Sequence, residues 1–153
     1  MSDCRHLVVK LYDAPPIRSP QAVHTALLAR IAGRHVVEIG TRNGDGVACF
    51  ARVAASVTAI EVGRPYCNRL VKRSAELAHR HQANLTVICD DFRLAPVVDA
   101  DVYTWWIWPP REPNAWIIQW LRDQITAGRL RRSVEALLMF QLQEQRPSEH
   151  SDM

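Results

Sequence analysis

The stretch His35-Val36-Val37-Glu38-Ile39-Gly40-Thr41-Arg42-Asn43-Gly44-Asp45-Gly46 decides the fold. Its first half is apolar and β-branched, which predicts a short buried strand that ends at Gly40. The glycines that follow predict a sharp turn whose backbone a ligand can approach closely, because glycine has no side chain. A helix is predicted directly after this turn, and its first turn offers free backbone N–H groups.

Strands and helices alternate on both sides of this stretch. Ser19-Pro20 begins a helix that ends at Gly33, since serine caps helices and proline suits the first helical position. Further helices are predicted over 46–54, 65–82 and 114–127, and further strands over 56–61, 84–89, 101–108 and 133–142. This order predicts an α/β fold with a doubly wound, mostly parallel sheet of about five strands and helices on both faces. A ligand cleft is then expected at the carboxyl ends of the strands.

Composition limits the classes of protein that this chain can be. Its 153 residues are 48% hydrophobic and 23% charged, which is typical of one globular domain and excludes a disordered chain. No apolar run approaches the ~18 residues of a membrane span, so no membrane association is expected. The net charge of +3 tolerates an anionic partner without requiring one, and nucleic acid is not indicated.

The chain divides into a predicted domain with two flanking segments. Residues 1–19 are proline-rich and irregular, 20–143 form the domain, and 144–153 are a polar tail. The four cysteines, Cys4, Cys49, Cys67 and Cys89, show neither a C-x-x-C pair nor zinc-ligand spacing, so no metal is expected. Cys49 and Cys89 are interpreted as small core residues, and a reduced, cytoplasmic location fits them best.

Acidic residues follow two of the predicted strands. Glu61 comes 21 residues after Gly40 and ends the second strand, where a carboxylate can accept hydrogen bonds from both hydroxyls of a ribose. Asp90-Asp91 follow the third strand and either accept a hydrogen bond from an adenine amine or cap a short helix. Phe92 packs either on a purine face or into the core.

This ordered set resembles the class I S-adenosylmethionine-dependent methyltransferases, which are Rossmann-like. The motif that carries the resemblance is Glu38-x-Gly40-x-Arg42-x-Gly44, followed by Glu61 and Asp91. Arg42 stands where the family's pattern has its middle glycine. The resemblance covers roughly residues 20–143 and implies a cofactor site formed by Glu38, Gly40, Thr41, Gly44, Glu61, Asp90, Asp91 and Phe92.

The resemblance also implies a role for each position. Gly40 and Gly44 would let the methionine part of the cofactor lie against the backbone, and Glu38 would orient that part. Glu61 would hold the ribose, and Asp91 would face the adenine, with Asp90 as its substitute one residue earlier.

Two alternatives accompany the methyltransferase hypothesis. The glycine spacing also matches NAD-dependent short-chain dehydrogenases, but no tyrosine is followed four residues later by the lysine that they require, and Glu38 suits a cationic sulfonium better than a pyrophosphate. The second alternative is a non-catalytic S-adenosylmethionine-binding module or partner subunit. It arises because the chain ends about ten residues after the fifth strand, before the family's C-terminal hairpin. A homodimer or partner subunit is accordingly expected at the edge of that strand.

The sequence says less about the residues that would bind the methyl acceptor. Trp108 either packs in the core with Trp116 and Trp120 or lines the cleft at the end of the fourth strand. The resemblance also implies that Tyr12 belongs to a lid formed by residues 1–19, because the family often caps its site there. Residues 105–111 resemble an Asn/Asp-Pro-Pro-aromatic motif without its polar residue, so methylation of a base amino group is not supported. Trp116 and Trp120 are expected to pack in the core. The methyl acceptor and the general base are not identified.

Overall fold

The computed structural model describes residues 4, 20–105 and 112–138. Within them lie four helices and five strands, which alternate along the chain except that no helix separates the third strand from the fourth. The helices are α1 (Pro20–Ile31), α2 (Asp45–Phe50), α3 (Arg64–His81) and α4 (Glu112–Thr126). The strands are β1 (His35–Ile39), β2 (Ser56–Ile60), β3 (Leu85–Ile88), β4 (Val102–Trp105) and β5 (Glu135–Leu138).

The five strands form one sheet in the order β3-β2-β1-β4-β5, and every neighbouring pair is parallel. The strand order reverses next to β1, so the ends of β1 and β4 flank the point where such sheets open a crevice for ligands. The predicted α/β architecture with a five-stranded parallel sheet is confirmed.

The side chains of each strand alternate between two hydrophobic cores, one on each face of the sheet. In β1, Val36 packs into the core formed with α1, α2 and α3, whereas Val37 and Ile39 pack into the core formed with α4. Both cores are continuous across neighbouring strands, as Val57 and Ile60 of β2 show by following the same division. Helices therefore cover both faces, as predicted.

One of the predicted element boundaries was wrong. The helix predicted over 46–54 ends at Phe50, because the backbone N–H groups of Arg52 and Val53 bond three residues back, in turn geometry. The described part of the fourth strand ends at Trp105, and Trp108 lies outside the described residues, as does Tyr12.

The interpretation of Cys49 and Cys89 as small core residues is confirmed for the buried Cys49, whereas Cys89 is exposed, and both belong to disulfides that the sequence did not predict. Cys4 is bonded to Cys49 in α2, and Cys67 in α3 is bonded to Cys89, directly after β3. Spacing along the chain did not reveal these pairs because their partners lie 45 and 22 residues apart and meet only in the fold. Both bridges tie a helix to another segment of the chain.

The tryptophans divide between core and surface. Trp105 is fully buried, and Trp120 packs beside the rings of Phe92 and Tyr103. Trp116, which was expected in the core, is 56% exposed on α4. Among the helices described, none is both long enough and apolar enough to cross a membrane.

Candidate functional site

The turn that follows β1 lies at the carboxyl edge of the sheet. Gly40, Arg42 and Gly44 all adopt positive φ, at 75°, 51° and 80°. Glycine adopts this conformation freely, whereas a residue with a side chain pays ~1 kcal/mol or more for it. Arg42 therefore keeps the backbone shape of the glycine that it replaces in the motif.

Glu61 connects the ends of β1 and β2. One of its carboxylate oxygens accepts a hydrogen bond from the backbone N–H of Arg42 at 2.7 Å, and the other accepts one from Gly63 at 2.8 Å. The residue is only 6% exposed. Because a carboxylate can accept about four hydrogen bonds, both oxygens keep capacity for a ligand. The predicted proximity of Glu61 to the glycine turn is present in the structure.

Glu38 lies on the face of β1 that packs against α1. Its Oε1 is 2.8 Å from Nε2 of His24, and the hydroxyl of Thr104 on β4 donates to the same oxygen at 3.4 Å. Both Glu38 and His24 are 2% exposed, so the carboxylate is satisfied inside the protein. The sequence placed Glu38 beside the cofactor, whereas the contacts of its carboxylate are with α1 and β4.

The position of the His24 ring also explains why residue 46 is a glycine. A Cβ on Gly46 would lie 2.0 Å from Nε2 of His24, so the second residue of α2 has room only for hydrogen. The ring of Phe50 lies 4.6 Å from the His24 ring on the same side. Sequence reasoning could not place His24, because its partners come from two other elements, β1 and α2.

Two arginines of α3 hold the glycine turn from the side. The buried Arg73 donates to the carbonyl of Gly44 at 2.9 Å and to the carboxylate of Asp45 at 2.6 Å. One turn earlier in the helix, Arg69 donates to the side-chain oxygen of Asn43 at 2.7 Å. Sequence reasoning missed both, although their spacing of four residues puts them on one face of the helix.

Asp90, Asp91 and Phe92 follow β3 at the same edge. The carboxylate of Asp91 accepts hydrogen bonds from the backbone and the side chain of Arg93, and the side-chain bond lowers the pKa of Asp91. The Asp91 carbonyl accepts bonds from the N–H groups of Leu94 and Ala95, so Asp91 caps a turn where the alternative prediction had a short helix. Phe92 is half-buried against Trp120 and thus packs with the core.

Arg93 contacts Asp91 on one side and an exposed aromatic surface on the other. Its guanidinium lies 6.0 Å from the ring centroids of both Phe92 and Trp116. Leu94 beside it is 77% exposed. This surface, formed by Phe92, Arg93, Leu94 and Trp116, adjoins the residue predicted to face the adenine.

Thr41 is the unusual residue of the turn. It is 9% exposed, and its Oγ1 is buried with no hydrogen-bond partner in the part of the chain that the structure describes. A buried hydroxyl without a partner costs ~1–3 kcal/mol, so its presence here calls for an explanation. Within the same part of the chain, no group of three or more His, Cys, Asp or Glu side chains could hold a metal ion.

Comparison with solved structures identifies the fold. A dimethyladenosine transferase from Plasmodium falciparum is 21% identical with a TM-score of 0.58, over 78% of this chain and 41% of that one. The 23S rRNA methyltransferase ErmE is 19% identical with a TM-score of 0.57, over 79% and 46%. The tRNA (m1A58) methyltransferase TrmI from Aquifex aeolicus is 18% identical with a TM-score of 0.51, over 68% and 43%.

The chain has the class I methyltransferase fold. It spans less than half the length of each of these three proteins. No protein-family profile matches the sequence, and no curated protein matches it. The resemblance that the glycine motif indicated is therefore confirmed at the level of the fold.

Proposed function

We propose that the protein binds S-adenosylmethionine at the carboxyl edge of its sheet and transfers the methyl group to an acceptor. The observation that carries the proposal is the buried hydroxyl of Thr41, which has no partner among the described residues at the turn where this fold class is expected to hold its cofactor. A polar ligand in contact with that hydroxyl would remove the cost of its burial.

The residues at this edge fit the cofactor. Gly40 has positive φ, is half-buried and leaves backbone open to the methionine part, and Thr41 offers a hydroxyl there, whereas Gly44 is buried against Leu70 and shapes the turn. Glu61 is held by two backbone N–H groups in an orientation that leaves lone pairs for the ribose hydroxyls. Asp91 stays the predicted neighbour of the adenine, with Asp90 beside it and Phe92 beneath.

When bound, the cofactor would supply an electrophilic methyl group on its sulfonium. The protein's own contribution would be alignment, since transfer needs the acceptor atom in line with the methyl-sulfur bond. Glu61 and the glycine turn would fix the adenosine and methionine ends, and this fixes the direction in which the methyl group points. The acceptor must then approach from the open side of the cleft.

We infer an RNA base as the acceptor class, in place of the sequence-based expectation that nucleic acid is not indicated. The aromatic surface at Arg93 and Trp116 supports this, because unpaired bases stack on tryptophan and on guanidinium planes. Two of the solved structures with this fold are named as rRNA and tRNA methyltransferases, which adds support from outside the chain.

Calorimetry with S-adenosylmethionine, S-adenosylhomocysteine and NAD tests the cofactor site. We expect the first two to bind and NAD not to. Thr41→Val should weaken binding of S-adenosylmethionine ~5–10-fold while the melting temperature stays equal or rises, because valine fills the same space without the unpaired hydroxyl. Thr86→Val, at an exposed threonine of β3, is the matched control and should change neither. Unaltered affinity in Thr41→Val would contradict the proposed site.

Labelled methyl transfer from S-adenosylmethionine to RNA, protein and small-molecule fractions tests the acceptor. Label in RNA that falls several-fold in Trp116→Ala, with cofactor affinity unchanged, is the expected result. Label in protein or small molecules instead would refute the RNA inference. Tight cofactor binding without transfer to any fraction would favour the non-catalytic binding module.

A further inference from the structure

The side of α3 that faces the glycine turn bears three successive contacts with it. Arg69 reaches Asn43, and Arg73 reaches both Gly44 and Asp45. Between them, Leu70 fills the space beside Gly44, where an added Cβ would lie 2.3 Å from Leu70 Cδ2. The turn is thus held along three consecutive residues, 43–45, by one helix that follows a different strand.

Arg73 is the central member of this arrangement. It is 5% exposed and binds a carbonyl and a carboxylate at once, a geometry that suits the planar fork of a guanidinium and that lysine cannot reproduce. Its partner Asp45 is 2% exposed and begins α2. The buried pair therefore fixes the point where the turn passes into the helix.

The other half of the site is held by different contacts. Glu61 is fixed partly by the N–H of Gly63, and Asp91 by Arg93. Neither of these bonds involves α3's arginines. A loss of the contacts made by Arg69 and Arg73 should accordingly disturb residues 43–45 more than the positions predicted to hold ribose and adenine.

We propose that Arg73, assisted by Arg69, is a positioning residue that sets affinity for the amino-acid half of the cofactor. This inference rests on the proposed function, in which the glycine turn receives the methionine part. It assigns to two residues of α3 a selective effect on one half of the ligand, although they act only through the turn.

Two ligands separate the halves: S-adenosylhomocysteine, and 5′-methylthioadenosine, which lacks the amino-acid portion. By calorimetry on the full chain, Arg73→Met should weaken S-adenosylhomocysteine at least ~10-fold and methylthioadenosine less than ~3-fold. Arg73→Lys should retain the charge but not the paired geometry, and it should fall between the parent and Arg73→Met. Arg80→Gln, on the exposed end of the same helix, is the control and should alter neither ligand.

Removal of a buried arginine can unfold the chain, so a milder pair is included. Arg69 is exposed. Arg69→Gln and Asn43→Ala each remove the same hydrogen bond, the first by changing its donor and the second by removing its acceptor. Each should weaken S-adenosylhomocysteine ~2–5-fold with methylthioadenosine unchanged, and the double variant should be no worse than either single one.

The outcomes separate this inference from the function on which it rests. A parent chain that binds neither ligand overturns the proposed function and this inference together. A parent chain that binds both, with folded variants that lose the two ligands equally or lose neither, overturns the positioning role alone.

Discussion

Polar and charged side chains are paired differently at the amino edge and at the carboxyl edge of the sheet. At the amino edge, Asp99 and Asp101 both pair with Arg131, and the backbone N–H of His35 donates to Asp101. Glu135, at the start of β5, pairs with Arg34. These groups are exposed or half-buried, and they pair with one another across the connections between elements.

At the carboxyl edge, the polar groups in and beside the glycine turn are buried and are held by backbone or by a side-chain partner inside the protein. Glu61 accepts from two backbone N–H groups, Glu38 is bound to His24, and Asp45 to Arg73. Thr41 is left without a partner among the described residues. The charged groups at the amino edge are thus paired with one another, whereas the carboxyl edge contains a buried hydroxyl, that of Thr41, for which the described part of the chain offers no partner.

The largest expected effect comes from removal of the bridge at the carboxyl edge. Cys67→Ala with Cys89→Ala should lower the free energy of unfolding by about 3 kcal/mol, because the bridge closes a loop of 22 residues. Hydrogen exchange should rise after β3 and at the start of α3 but not at the amino edge. Full alkylation of the four cysteines in unreduced, folded-then-denatured protein would show that the bridges are absent.

Gly46→Ala should be the next most harmful change. Alanine normally stabilises a helix by up to ~1 kcal/mol relative to glycine, but here its Cβ meets the buried His24 ring. We expect a loss of ~2–3 kcal/mol in urea denaturation, since the ring must move and leave Glu38. His24→Ala in the same chain should recover part of this loss. A Gly46→Ala variant as stable as the parent would show that the ring does not occupy this space.

Glu61→Ala should weaken S-adenosylmethionine by ~1.5–3 kcal/mol, which calorimetry would record as a ten-fold or greater rise in Kd. The loss combines a missing contact with the ribose and a looser turn, since the Arg42 N–H also loses its acceptor. Glu76→Ala, at an exposed acid of α3, is the control for loss of charge. Equal affinity in the parent and Glu61→Ala would contradict the assignment of β2 to the ribose.

The smallest effect is expected at the amino edge, with Arg131→Gln. Hydrogen bonds from Arg131 lower the pKa of Asp99, and the N–H of His35, followed by Arg131, lowers that of Asp101. A carboxyl with a lowered pKa contributes stability above its unfolded value of ~3.9 and loses that contribution as pH falls through the folded pKa. Acid titration of the variant should therefore show a shallower loss below about pH 4. Cofactor binding at neutral pH should not change, and a change there would break the contrast between the edges.

The elements of the fold were predictable from local sequence. β-Branched runs such as Val36-Val37 marked strands, and Gly33 marked a helix end, because both signals act within a few residues. The ends of the elements were less predictable. The bonds that stop α2 at Phe50 are turn contacts without a distinctive residue pattern.

The site was predictable where a strand end placed a residue, and not where a distant element did. Glu61 was found because it directly follows β2. His24, Arg69 and Arg73 were missed because they reach the turn from helices, across 14 to 29 residues of chain. The two disulfides were not predicted for the same reason, because each pair of cysteines comes together only when two distant segments of the chain pack in the fold.

Arg42 shows that the backbone conformation of the glycine motif can be present where the glycine itself is absent. Its φ of 51° keeps the bend that glycine would supply, and its guanidinium extends outward to lie 5.6 Å from the centroid of the Tyr66 ring. A search pattern that demands glycine at that position passes over this chain, although the backbone meets the requirement. For chains that share this fold at low sequence identity, the dihedral angles of the turn test for the motif more directly than its residue types do.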